Sequence, residues 1–146
     1  MNILLFIITS FIIGFFSDAI LYILAVNKTP IDNNIKIIKA LRPYFKHYKT
    51  MSPFLAGITV VIGTFVSYQL FRSFENENEN ESEPSLWVYI LILFLFGMLL
   101  DYIINITGIF KPYLNKYYNR SGIILSAIFG GIANLMVGIP AYFISR

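Results

Sequence analysis

The chain contains no cysteine and only one histidine. The first absence removes disulfides, thiolate nucleophiles and sulfur-ligated metals together, and it leaves the redox compartment open. The lone histidine, His47, has no second histidine with which to form a metal cluster, and it stands among basic and aromatic residues in a connecting segment, a setting that reads as interfacial rather than catalytic. Ser17 beside Asp18 lacks a base and an oxyanion motif, so it is not a hydrolase signature. No catalytic residue, metal or cofactor is expected, and the chain reads as a non-enzyme. Charge is scarce too: 13% of the 146 residues are charged while 57% are hydrophobic, and mean hydropathy is +0.69. That balance is too apolar for a soluble domain of this size. No basic segment precedes the first apolar run and no small-x-small cleavage site follows it, so the run is expected to persist as a mature helix.

Four apolar runs are long enough to cross a hydrocarbon core of about 30 Å as helices. They cover roughly residues 3–26, 53–71, 86–107 and 122–145. The connection between the first two carries Lys39, Arg42 and Lys46 among other cations, and that between the last two carries Lys111, Lys116 and Arg120. The middle connection instead alternates Glu and Asn from Glu75 to Glu83, a composition that cannot build a packed core and reads as a linker. The net charge of +3 therefore hides a separation of sign across the membrane. By the positive-inside rule the basic loops face the cytoplasm, and the termini and the acidic tract face the opposite side. Asn80-Glu81-Ser82 is a glycosylation acceptor accessible only in that orientation. The basic loops carry no nucleic-acid-binding motif, so no nucleic acid is expected as a partner.

A carboxylate interrupts a hydrophobic run twice, at matching places: Phe11-x-x-Gly14-x-x-x-Asp18 and Phe94-x-x-Gly97-x-x-x-Asp101. Each costs about 2.5–3.5 kcal/mol on insertion scales, so each needs a partner or a task. A second match follows in order, Arg42-Pro43-Tyr44 with Tyr48 against Lys111-Pro112-Tyr113 with Tyr117, and Ser52 and Ser121 stand at the same offset. Two matches in register predict an internal duplication. The expected architecture is all-α: an integral membrane four-helix bundle of two parallel helical-hairpin repeats, with residues 1–73 the first hairpin, 74–85 the linker and 86–146 the second. The halves would be related by a pseudo-twofold axis along the membrane normal. The first hairpin has an extra segment, roughly 27–41, in which Asp32 can cap a short amphipathic helix with Ile35, Ile38 and Leu41 on one face. That helix is expected on the basic-side membrane surface, ending near Arg42 because Pro43 disfavours helix before it.

The last run repeats Gly122, Ser126, Gly130, Asn134 and Gly138 at four-residue intervals. Such a stripe lets helices approach closely and lets Asn134 bond across the contact, so it reads as a packing face. Pro140 is a candidate to end or kink this helix. Two readings of the acids follow. Asp18 and Asp101 each fix helix register, bonding to Ser17, Tyr22, Tyr102, Asn105 or Asn134 or pairing with Arg42 or Lys111; alternatively, they share one aqueous ion site. The first makes the protein a structural or assembly component of a membrane or membrane complex. The second makes it a proton- or cation-linked transporter or channel subunit. Partners implied are the bilayer, anionic headgroups on the basic side, and further copies or other subunits of a membrane complex. In its composition, its four crossings and its Arg/Lys-Pro-Tyr segments the chain resembles the small uncharacterised multi-spanning membrane proteins of large DNA viruses. That resemblance implies a component of a viral or virus-modified membrane.

Overall fold

The computed structural model describes residues 1–27, 35–77 and 86–146. Among these the helices are α1 (Ile3–Val26), α2 (Lys36–Tyr48), α3 (Met51–Glu77), α4 (Leu86–Thr107), α5 (Lys111–Ser121) and α6 (Ile123–Ser145), and there is no strand. α1, α3, α4 and α6 are long and apolar enough to cross a membrane. The expected cap at Asp32 and the Glu/Asn linker from residue 78 onward lie outside the described residues.

Small polar side chains lie between the helices and large apolar ones face outward, a distribution compatible with a hydrocarbon surround. Ser10, Ser52, Thr64, Ser67 and Ser126 are fully buried between helices, whereas Phe16, Ile20, Ile124 and Met136 each expose more than half their surface. In lipid an outward Ile or Phe costs nothing, and small hydroxylic residues between helices permit close contact. α1 packs against α3 and α6, and α4 packs against the same two helices, so the Asp-bearing α1 and α4 stand at opposite corners. The Asn2 side chain caps α1 by accepting from the Leu5 N–H at 3.1 Å, and the Asn2 N–H donates to the Ser145 carbonyl at 2.8 Å. Both chain ends therefore meet at one end of the bundle. That half is filled by Phe6, Tyr68, Phe71, Tyr89, Leu93 and Ala141.

α2 and α5 close the other end, packed against each other through Ala40, Tyr117 and Tyr118. His47 stacks on Tyr113 with ring centroids 3.8 Å apart. α2 does not end near Arg42 as the sequence suggests; it starts at Lys36 and runs through Pro43 to Tyr48. The proline removes one backbone donor. Contacts on both sides of it hold the helix: Ile38 and Phe45 are buried against Ala25, and the Arg42 Nε donates to the Ala25 carbonyl at 3.1 Å. Ile38, Ala40 and Phe45 thus face the bundle. α6 likewise continues through Pro140 to Ser145, its last turn held by buried Ala141 and Ser145.

The turns out of the two short helices differ in chemistry. Gly122 ends α5 at φ 72°, a region free to glycine, whereas Lys49 ends α2 at φ 47° and ψ −125°, where a Cβ is strained. Lys49→Gly is expected to stabilise the fold by about 1 kcal/mol, strain relief exceeding the added chain entropy. A higher unfolding midpoint in detergent checks this; an unchanged or lower one contradicts it.

Candidate functional site

Asp18 lies eight residues before the end of α1 and Asp101 six before the end of α4, which puts both about 9–12 Å from the α2/α5 end. Glycines one turn earlier bring each helix close to its hairpin partner. A Cβ on Gly14 would stand 3.3 Å from the Gly57 Cα, and one on Gly97 would stand 2.7 Å from the Gly130 carbonyl oxygen and 3.0 Å from the Gly131 Cα. The second hairpin is therefore the tighter of the two.

In the first hairpin the Ser52 hydroxyl, fully buried at the start of α3, donates to the Asp18 carboxylate. Tyr44 stands beside this pair: its hydroxyl pKa is pushed up to about 12, mainly by burial and then by the charge of Asp18. Asp18 also lines a cavity of about 500 Å³ with Gly14, Ser17 and Leu21 of α1.

In the second hairpin Asp101 lines a smaller cavity, about 240 Å³, with Gly97, Thr59 and Gly130, under a roof of Tyr44, Phe110, Leu114 and Tyr118. Its Oδ2 is buried and has no hydrogen-bond partner, and the Tyr118 hydroxyl is in the same condition. The Tyr117 hydroxyl is pushed up to about 12 and that of Tyr118 is also raised, in both cases by burial first and the Asp101 charge second. The phenols thus face the acid as neutral O–H groups. Ala56, Val60 and Ala133 line both cavities, so the acids occupy neighbouring compartments divided where α3 meets α6.

The stripe on the last helix faces α4. Asn134 donates from Nδ2 to the Leu93 carbonyl at 2.8 Å, a Cβ on Gly130 would meet the Asp101 Cβ, and one on Gly138 would meet the Leu93 side chain. Ser126 donates to the Gly122 carbonyl at 2.8 Å, while Gly122 itself is the residue before α6. Lys39, Arg42 and Lys46 lie on α2 and Lys111, Lys116 and Arg120 on α5, at the same end of the bundle. Lys36, Lys39 and Arg120 border one groove together with Ile35, Ile37 and Leu125. Among the described residues no three His, Asp or Glu side chains gather into a metal site.

No family model, curated protein or solved structure matches the chain. The reading of the site therefore rests on its own geometry.

Two participants are absent from the sequence reading of the acids. Ser52 supplies the hydrogen bond that was expected from Ser17, Tyr22 or Arg42; its offset after the Pro-Tyr motif is the one signal pointing to it. Tyr118 lies within a run of interfacial tyrosines and carries no local mark of its role.

Proposed function

We propose that this chain is an integral, multi-pass membrane protein with a structural or assembly role, built from two hairpin repeats whose helices are held in register by polar contacts inside each hairpin. The observation that carries this reading is the bond from Ser52 to Asp18, which joins α1 to α3 within one hairpin, while Asp101 borders another cavity, on a helix whose main neighbours are α3 and α6. Two acids serving one transport site would be expected to converge. The half of the bundle next to the termini is also filled largely by aromatic side chains, Phe6, Tyr68, Phe71 and Tyr89.

Repeated contacts support the duplication. Phe11 lies against Gly57 as Phe94 lies against Gly131, and the Phe6–Tyr68 ring pair has its counterpart in Tyr89–Tyr142. Each pair relates α1 to α4 by a shift of 83 residues and α3 to α6 by a shift of 74. In this register Ser52 corresponds to Ser126, not to the Ser121 of the sequence match. The α2/α5 end, with its lysines and arginines, faces the cytoplasm in this reading, and the groove at Lys36, Lys39 and Arg120 suits an anionic lipid headgroup above the apolar Leu125.

A double-mutant cycle on Asp18→Asn and Ser52→Ala tests the structural role. The expected coupling is about 1–2 kcal/mol in detergent unfolding, with no ion flux from wild-type protein in vesicles. A wild-type flux that a folded Asp18→Asn or Asp101→Asn protein loses would sink the structural reading.

A further inference from the structure

We propose that one acidic phospholipid binds at the junction of α2, α5 and α6, with its phosphate in the cationic groove and an acyl chain in the apolar furrow beside it. The inference rests on the membrane reading above and deepens it from a headgroup contact to a site for one whole lipid. Lys36 and Lys39 stand one turn apart on α2, Arg120 and Ser121 end α5, and all four border one groove whose lining holds no carboxylate. None of the three cations forms an ion pair with a described carboxylate, so the groove gathers uncompensated positive charge. Its two walls are fixed relative to each other. Ile37, which lines the groove, and Ala40 pack with Leu114 and Tyr117 of α5 and Phe129 of α6. The cations can therefore meet an anion without first ordering the backbone that carries them.

The adjoining surface states why that anion is a lipid. A furrow that shares Ser121 and Leu125 with the groove runs between Tyr102 of α4 and Ile124 and Ile128 of α6. Tyr102 lies five residues from the end of α4 and Ile128 five residues from the start of α6, so both stand about 8 Å inside the bundle from that end. The path leads from charge at the membrane surface to apolar side chains at acyl depth, which is the order of a phospholipid's own parts. A soluble phosphate would use the first part alone. The three cations also choose among lipids: a zwitterionic headgroup brings its own ammonium against them, whereas phosphatidylglycerol brings only negative charge. Arg120 adds a forked donor that fits two phosphate oxygens at once. Lys36 and Lys39 belong to the extra segment of the first hairpin, so that insertion supplies half of the site.

The test is thermal unfolding of the full chain in dodecyl maltoside micelles doped with phosphatidylglycerol or phosphatidylcholine. Wild type is expected to gain roughly 3–8 °C in the midpoint, saturably, with phosphatidylglycerol and under about 1 °C with phosphatidylcholine or with about 10 mM inorganic phosphate. The double variant Lys36→Gln, Lys39→Gln and the single variant Arg120→Gln are each expected to raise the half-saturating lipid fraction at least about fivefold. The control Lys46→Gln, Lys116→Gln removes two charges from the same end of the bundle but outside the groove, and it is expected to leave half-saturation within about twofold of wild type. All five side chains are exposed, so these variants are expected to fold. No saturable shift, an equal shift with phosphatidylcholine or with phosphate, or equal losses in the groove and control variants would each overturn the proposal. Alkaline extraction of membranes reads the membrane assignment by itself: release of the chain would sink that assignment, whereas retention without a phosphatidylglycerol response would sink this site alone.

Discussion

Gly97→Ala is expected to destabilise the bundle by about 3 kcal/mol, the upper part of the range for overpacking a close interface. The new Cβ would lie 2.6 Å from the Asn134 Cβ, 2.7 Å from the Gly130 carbonyl oxygen and 3.0 Å from the Gly131 Cα. Two of those three atoms are backbone, so no rotamer change relieves the clash; α4 and α6 must separate. Separation also lengthens the bond from Asn134 to the Leu93 carbonyl, which lies on the same contact. Gly14→Ala is the control, because its Cβ would meet the Gly57 Cα and the Val60 Cβ at 3.3 Å, a gap that a few tenths of an ångström of movement satisfies. Its expected cost is under about 1 kcal/mol. Unfolding of both variants in mixed micelles measures the contrast, and equal costs would mean that the two hairpins are equally tight.

The spans were legible in the sequence to very different degrees, for reasons that residues explain. α1 and α4 occupy the limits of their apolar runs, residues 3–26 and 86–107: the first is followed in the sequence by Asn27, Lys28 and Thr29, and the second by Gly108, whose φ of 67° ends the helix. α3 extends to Glu77, beyond the run ending at residue 71, because Arg72 and Glu75 are one turn apart and can stay helical while reaching the surface. Pro43 misleads because its local penalty is outweighed by Ile38, Phe45 and Arg42 docking on α1, contacts that join residues far apart in the chain. The acids announce themselves as outliers in apolar runs. Their surroundings do not: Ser52 is 34 residues from Asp18, and whether a serine turns to an acid or to its own helix carbonyl, as Ser126 does, depends on backbone positions that no pattern encodes.

Tyr89→Ala should carry the largest stability cost of a single truncation, about 3–5 kcal/mol, because Tyr89 is fully buried and holds together three elements at the terminus-side end. Its ring packs on Phe71 of α3 at 5.3 Å and on Tyr142 of α6 at 4.9 Å, and its hydroxyl donates to the Gly138 carbonyl at 3.2 Å. Tyr89→Phe keeps the rings and removes only the hydrogen bond, so its expected cost is about 1 kcal/mol. The difference between the two variants separates packing from hydrogen bonding. If Tyr89, with Phe6, Tyr68 and Phe71, is the plug that closes the bundle below Asp18 and Asp101, the alanine variant opens space toward the opposite face while leaving both acids in place. A folded Tyr89→Ala protein in vesicles should then conduct small cations where wild type does not, a gain that Asp101→Asn in the same background would abolish. A tight Tyr89→Ala protein would locate the barrier elsewhere, in the close contact of α4 and α6 at Gly97, and Gly97 and Gly130 would become the residues that keep the compartment shut.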